Sequence, residues 1–121
     1  RNRAKVVENA TIMDGGIAIS TCSKDMPNNM LIAAQAADAL LSIKGIQASF
    51  VLAETPGGIN ISGRSLGQIN VQLILERIGG GGHLAVAGAQ LKDISINEAV
   101  DKLTDSIYSY LDEIGADYSR S

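Results

Sequence analysis

Four glycines in a row, residues 79–82, run directly into His83, the only histidine of the chain, and this constrains the fold more than any other feature. Glycine lacks a Cβ and loses the most backbone freedom on ordering, so such a run cannot carry a helix onward and must separate two elements. On its N-terminal side, Asn70 suits the N-cap of a short helix with Val71, Ile74, Leu75 and Ile78 on the buried side and Gly79 as the stop. On its C-terminal side, residues 83–91 read as a strand in which His83, Ala85, Ala87 and Ala89 share one face. So little side-chain bulk on that face permits close approach by a helix or by a ligand.

The remaining segments follow by the same reasoning. Residues 1–10 read as a short polar helix or a linker, ended by Asp14-Gly15-Gly16 at a turn, and residues 17–21 as a short apolar strand. Pro27 fits the first turn of a helix over about 27–43, in which Met30, Ala34, Ala37 and Leu41 recur at helical spacing before Gly45. Residues 46–54 and 59–64 flank Thr55-Pro56-Gly57-Gly58, a turn that makes them an antiparallel hairpin. In the second of these strands Ile59 and Ile61 face one way, and Asn60, Ser62 and Arg64 the other. Ser95 and Glu98 form a capping box for a last helix carrying Ile96, Val100, Leu103, Ile107, Leu111 and Ile114, ended by Gly115. The fold class is therefore α/β: a mixed sheet of about four strands with an antiparallel hairpin, covered by three main helices.

Composition narrows the function. A chain of 121 residues, 45% hydrophobic and 19% charged, fits one globular domain over 1–121, with 1–14 as a linker or the end of an interdomain helix. Phe50, Tyr108, Tyr110 and Tyr118 are the only aromatics, and the net charge is -3, which disfavours a stacking platform or basic stripe for long nucleic acid. A small anion held by local donors remains compatible with that balance. Cys22 is alone, so no internal disulfide forms and a reducing, cytoplasmic setting is expected. No apolar stretch has the length of a membrane span, so no membrane contact is expected of this segment. Because Arg1 stands where Met would begin a protein, a longer parent chain is also expected.

The candidate chemistry gathers around the glycines. Their backbone could converge on an anion as a phosphate cradle, or serve only as a loose connection. His83 could donate to a phosphate oxygen, or be a buried histidine satisfied by backbone. Arg64 and Ser65 offer a guanidinium fork and a hydroxyl at a strand end, although an arginine there can simply be solvated. Arg64 and His83 bracket the short helix, which allows both strand ends to lie on one edge of the sheet. The aspartates 14, 25, 38, 93, 101, 105, 112 and 117 are scattered, so no metal site is expected and no catalytic residue is assigned.

Ser62-Gly63-Arg64-Ser65, Asn70-Val71, the run from Gly79 through His83, and Ala87-Gly88-Ala89 together resemble the DHH-associated domain of DHH-family phosphoesterases. Ala36-Ala37-Asp38 extends the similarity upstream. The resemblance implies that Arg64, Ser65, Gly80, Gly81, Gly82 and His83 bind substrate. It also implies that manganese ions sit in a separate DHH domain, the partner of this one, so that this fragment alone is inactive. Ile69-Asn70-Val71-Gln72 and Ala87-Gly88-Ala89-Gln90 look most similar to membrane-anchored cyclic-di-AMP phosphodiesterases with PAS and degenerate GGDEF domains upstream. The ligand expected is then a cyclic dinucleotide or a short oligonucleotide phosphate, with a homodimer left open. The alternative is the nucleic-acid-binding domain of a RecJ-like single-strand exonuclease or a nanoRNA phosphatase.

Overall fold

The computed structural model describes residues 1–115, so Asp117 and Tyr118 lie outside the described residues. Its elements are α1 (Asn2–Glu8), β1 (Thr11–Met13), β2 (Ile17–Cys22), α2 (Asn29–Leu40), β3 (Ala48–Thr55), β4 (Gly58–Ser65), α3 (Val71–Glu76), β5 (Gly81–Gly82), β6 (Val86–Lys92) and α4 (Ile96–Glu113). One six-stranded sheet runs in the order β1-β2-β3-β4-β6-β5, with β2 and β3 parallel and every other pair antiparallel.

The class is α/β as the pattern implied, but the sheet has six strands rather than about four. Both additions are too short to show alternation: β1 has three residues and β5 is two glycines with no side chains to alternate. The segment 1–14, read as a linker or the end of an interdomain helix, holds α1 and an edge strand. The helix placed at 27–43 spans Asn29–Leu40, because Asn28, in the left-handed conformation, is its N-cap and Pro27 precedes it. The strand placed at 83–91 begins only at Val86, since His83 lies in the turn between β5 and β6 and its N–H donates to the Val86 carbonyl.

Strand alternation sorts the core into two layers. On one face Ile17, Ile19, Phe50, Leu52, Ile59 and Ile61 pack with Val71, Ile74 and Leu75 of α3 and Leu103, Ile107 and Leu111 of α4. The opposite layer is lighter: Ala18, Cys22, Val51 and Ala53 meet Val6 of α1 and Ala33, Ala36, Ala37 and Leu40 of α2. Small residues let α2 lie close to β3, where the Ser49 hydroxyl donates to the Ala37 carbonyl at 2.6 Å.

Local signals position the rest. Asn70 caps α3 by accepting from the Leu73 N–H at 3.1 Å, and its own N–H donates to the Tyr110 hydroxyl at 3.0 Å, tying α3 to α4. The Ser95 and Glu98 capping box is complete. The Ser95 amide donating to the Glu98 carboxylate, joined by the Ser95 hydroxyl, holds that carboxyl below its usual range. Ile78, expected on the buried side of α3, is only half-buried because the helix has already ended, and Ile114 past α4 is exposed. The opposite glycine stops hold: Gly79 and Gly115 adopt φ of 95° and 71°, open to glycine at little cost.

Candidate functional site

Arg64 leaves β4 on the face covered by α2. Its Nε donates to Asp38 Oδ1 at 2.9 Å and its Nη1 to the Gly63 carbonyl at 2.9 Å. The Arg64 side chain is 17% exposed and that of Asp38 65%, so the ion pair fixes an arginine stem while the acid remains in water. Nη2 makes no hydrogen bond among the described residues. A guanidinium anchored by its inner edge presents its outer edge as a planar donor pair, the geometry that matches phosphate oxygens.

Ser65, the next residue, points to the other face, because strand side chains alternate. It is buried, and its Oγ accepts from the Gly67 N–H at 2.9 Å, so it shapes the chain's exit from β4 rather than standing beside the guanidinium.

The glycine run is a hairpin rather than an open loop, and its members differ. Gly79 ends α3. Gly80 donates its N–H to the Leu75 carbonyl at 2.8 Å, and a Cβ there would collide with the Gly88 carbonyl and Ala89. Gly82 has φ of 142°, and a Cβ would lie 2.6 Å from Ala87 Cα and the Val86 carbonyl oxygen. Gly81 is different: its φ is not positive and a Cβ would meet nothing within 4 Å. The His83 to Val86 bond makes Gly82 opposite Ala87 a pair that exchanges no hydrogen bonds, so the exposed Gly82 turns its N–H toward the open sheet edge.

His83 is exposed, which removes the buried-histidine alternative, and its imidazole makes no hydrogen bond among the described residues. Arg64 pairs with Val86, and the His83 turn joins that same residue, so Arg64 and His83 share one end of the sheet. They do not share an edge, since β4 is an interior strand. The glycine N–H groups available to an anion are fewer than an open cradle would offer, because those of Gly79, Gly80 and His83 are used within the fold.

Ser62 carried no role in the sequence reading. It lies on the Arg64 face, is 8% exposed, and its hydroxyl makes no hydrogen bond among the described residues. The signal was present in the alternation of β4, but nothing in a sequence shows that a hydroxyl will go unpartnered.

Elsewhere, Cys22 is buried, and burial pushes its thiol up to about 11, which suits an inert core residue. A cleft of about 530 Å³ bounded by Lys24, Asn29, Met30, Glu54 and Pro56 opens at the opposite end of the sheet and contains none of the candidate binding residues. Among the described residues no three His, Cys, Asp or Glu side chains come together as a metal site, and no helix is long and apolar enough to cross a membrane.

This sheet end brings together an anchored arginine, a histidine turn and a glycine hairpin, a set of hydrogen-bond donors chemically suited to an anion. The chain belongs to the DHHA1 domain family, which it matches over residues 14–113. It is 51% identical over 109 residues to cyclic-di-AMP phosphodiesterase PdeA of Listeria monocytogenes, covering 89% of this chain and 17% of that protein. It is 45% identical over 111 residues to cyclic-di-AMP phosphodiesterase GdpP of Geobacillus thermodenitrificans, covering 91% of this chain and 17% of the relative. The chain thus spans about a sixth of the length of these relatives. In structure it is similar to an exopolyphosphatase-related protein of Bacteroides fragilis, with a TM-score of 0.80 at 24% identity over 91% of this chain and 34% of the other.

Proposed function

We propose that this domain is the nucleotide-phosphate-binding part of a metal-dependent phosphodiesterase that opens cyclic-di-AMP to linear pApA. The observation that carries the reading is the anchored Arg64, which pairs across the sheet with Val86 at the turn of the glycine hairpin, in a chain 51% identical to a cyclic-di-AMP phosphodiesterase. In this reading Arg64 and His83 take ligand phosphate, the Gly82 N–H adds a neutral donor, and Gly80 holds the hairpin in place. Ser65 acts by shaping the turn after β4.

The described residues do not fit a manganese pair, since no three of their His, Cys, Asp or Glu side chains come together. The metal chemistry belongs on a DHH domain of the parent protein, which is also this domain's natural partner. The parent is expected to be anchored to the membrane by other segments, with this domain on the cytoplasmic side.

The test is manganese-dependent hydrolysis of cyclic-di-AMP by the full-length protein, with pApA as product, while the 121-residue chain alone has no activity. The chain is also 32% identical over 73 residues to the bifunctional oligoribonuclease and PAP phosphatase NrnA of Thermus thermophilus, which supports a nuclease-type alternative. Affinity that climbs steeply from adenylate dimers to 12-mers, with no cleavage of cyclic-di-AMP, would replace the first reading by that one.

A further inference from the structure

Five serines are buried among the described residues, and four have partners. Ser20 donates to the Val6 carbonyl, Ser49 to that of Ala37 and Ser106 to that of Ile74, while Ser65 accepts from Gly67. Ser62 is the exception. A hydroxyl taken most of the way out of water without a partner is unfavourable, and such a group in a native fold calls for an explanation. Its oxygen is not sealed in, because no fully buried side-chain oxygen or nitrogen lacks a hydrogen bond.

Ser62 also sits at the margin of the helix layer. On its face of the sheet α1 and α2 pack over β2, β3 and β4. Past them, Val86 and Gln90 of β6 are exposed. Across the strands Ser62 pairs with Gly88, and Gly88 pairs with Gly81. The three form one row, about 10 Å long at the usual strand spacing, with Arg64 one repeat further along β4, about 7 Å away. Gly81 lacks the steric reason that holds Gly80 and Gly82, and that of Gly88 is weaker than theirs. A Cβ on Gly81 would meet open space, and one on Gly88 would meet only the Ile61 carbonyl oxygen, at 3.3 Å. Glycine weakens a strand, and inside one it often marks close approach by a ligand.

We propose that the row Ser62, Gly88 and Gly81 receives the nucleoside part of the ligand whose phosphate Arg64 holds. The sugar and base lie flat on the bare backbone of Gly88 and Gly81, the Ser62 hydroxyl bonds a polar atom of the same nucleotide, and Val86 adds an aliphatic flank. This rests on the phosphodiesterase reading above, and the experiment separates the two.

In the full-length protein with manganese, KM and kcat for cyclic-di-AMP are measured together with melting temperature for Ser62→Ala, Gly81→Val and Arg64→Ala. Removal of an unpartnered hydroxyl and addition of a strand-favouring side chain into open space should leave the melting temperature within about 2 °C. Both should nevertheless raise KM, Ser62→Ala by about fivefold and Gly81→Val by tenfold or more, with kcat changing less than KM. If Arg64→Ala raises KM while Ser62→Ala and Gly81→Val match the wild type, the nucleoside does not lie on this row and the inference is overturned, although the phosphate reading stands. If Arg64→Ala itself leaves KM unchanged, both fall together. A lowered melting temperature in Ser62→Ala with wild-type KM would mark the serine as structural and would also overturn the inference.

Discussion

The two faces of the sheet solve different problems. The α3 and α4 face is filled by Phe50, Leu52, Ile59, Ile61, Ile74, Leu75, Leu103 and Ile107, all buried, and its polar ties include Asn70 to Tyr110 and Ser106 to Ile74. The α1 and α2 face is lined by alanines and serines and is closed only over β2, β3 and β4. On the first face bulk fills space and supplies most of the apolar burial. On the second the backbone is left accessible, and the polar groups at its margin, Ser62 and Arg64, keep capacity for a further bond. Under the proposed function, stability and ligand contact are separated by the alternation of side chains along single strands: Ile61 and Ser62 are neighbours in sequence and face opposite layers.

That separation predicts effects that divide cleanly by face. The largest is at Phe50, fully buried and against Gly63, whose missing Cβ makes room for the ring. Phe50→Ala should cost about 3–5 kcal/mol of stability, seen as a large fall in the melting temperature of this domain, while the folded fraction keeps its KM. A large rise in KM at full folding would break the division. A smaller effect is expected at Asp38. Because its carboxylate is mostly solvated, Asp38→Ala should weaken ligand capture by only about twofold to fivefold through loss of the Arg64 anchor, with little change in melting temperature. The same substitution in an Arg64→Ala background should add nothing.

The smallest effect concerns Cys22, on the alanine-lined face but inside it. Its thiol is pushed up to about 11, so the folded state holds the proton more tightly than the unfolded chain does. The associated stability is fully present below the ordinary thiol range and is lost as pH rises toward 11. Alkylation at pH 8 should therefore spare Cys22 in the native protein and modify it after denaturation. Rapid native alkylation would show that the α1 and α2 layer opens more readily than its packing implies.

Much of the fold was legible because particular residues carry a local rule. Asn70, the Ser95 and Glu98 pair, Gly79, Gly115 and the turn at 55–58 all do what their chemistry suggests in isolation. Where the rule needs a side chain and there is none, the reading failed: Gly81 and Gly82 are a strand only because β6 is there to pair with them. The site divides in the same way. Arg64 was recognisable as a strand-end guanidinium, but its anchor is Asp38, 26 residues away on another element, and no spacing rule links them. Ser65 attracted attention as the neighbour of Arg64, although alternation along β4 turns it to the opposite face. Ser62 was given no role because its significance is a bond that is not made.

The most direct test of the division between faces is a joint measurement of melting temperature and KM for Arg64→Ala in the full-length protein, with His83→Ala alongside. Hydrogen bonds to a charged group contribute about 1.5–3 kcal/mol, so capture of cyclic-di-AMP should weaken by roughly tenfold to a hundredfold in Arg64→Ala. The melting temperature should stay at the wild-type value, because the guanidinium fills no part of either core. His83→Ala should follow the same pattern, since the imidazole is exposed and unbonded. An Arg64→Ala protein that is well folded and binds cyclic-di-AMP as tightly as the wild type would contradict the account.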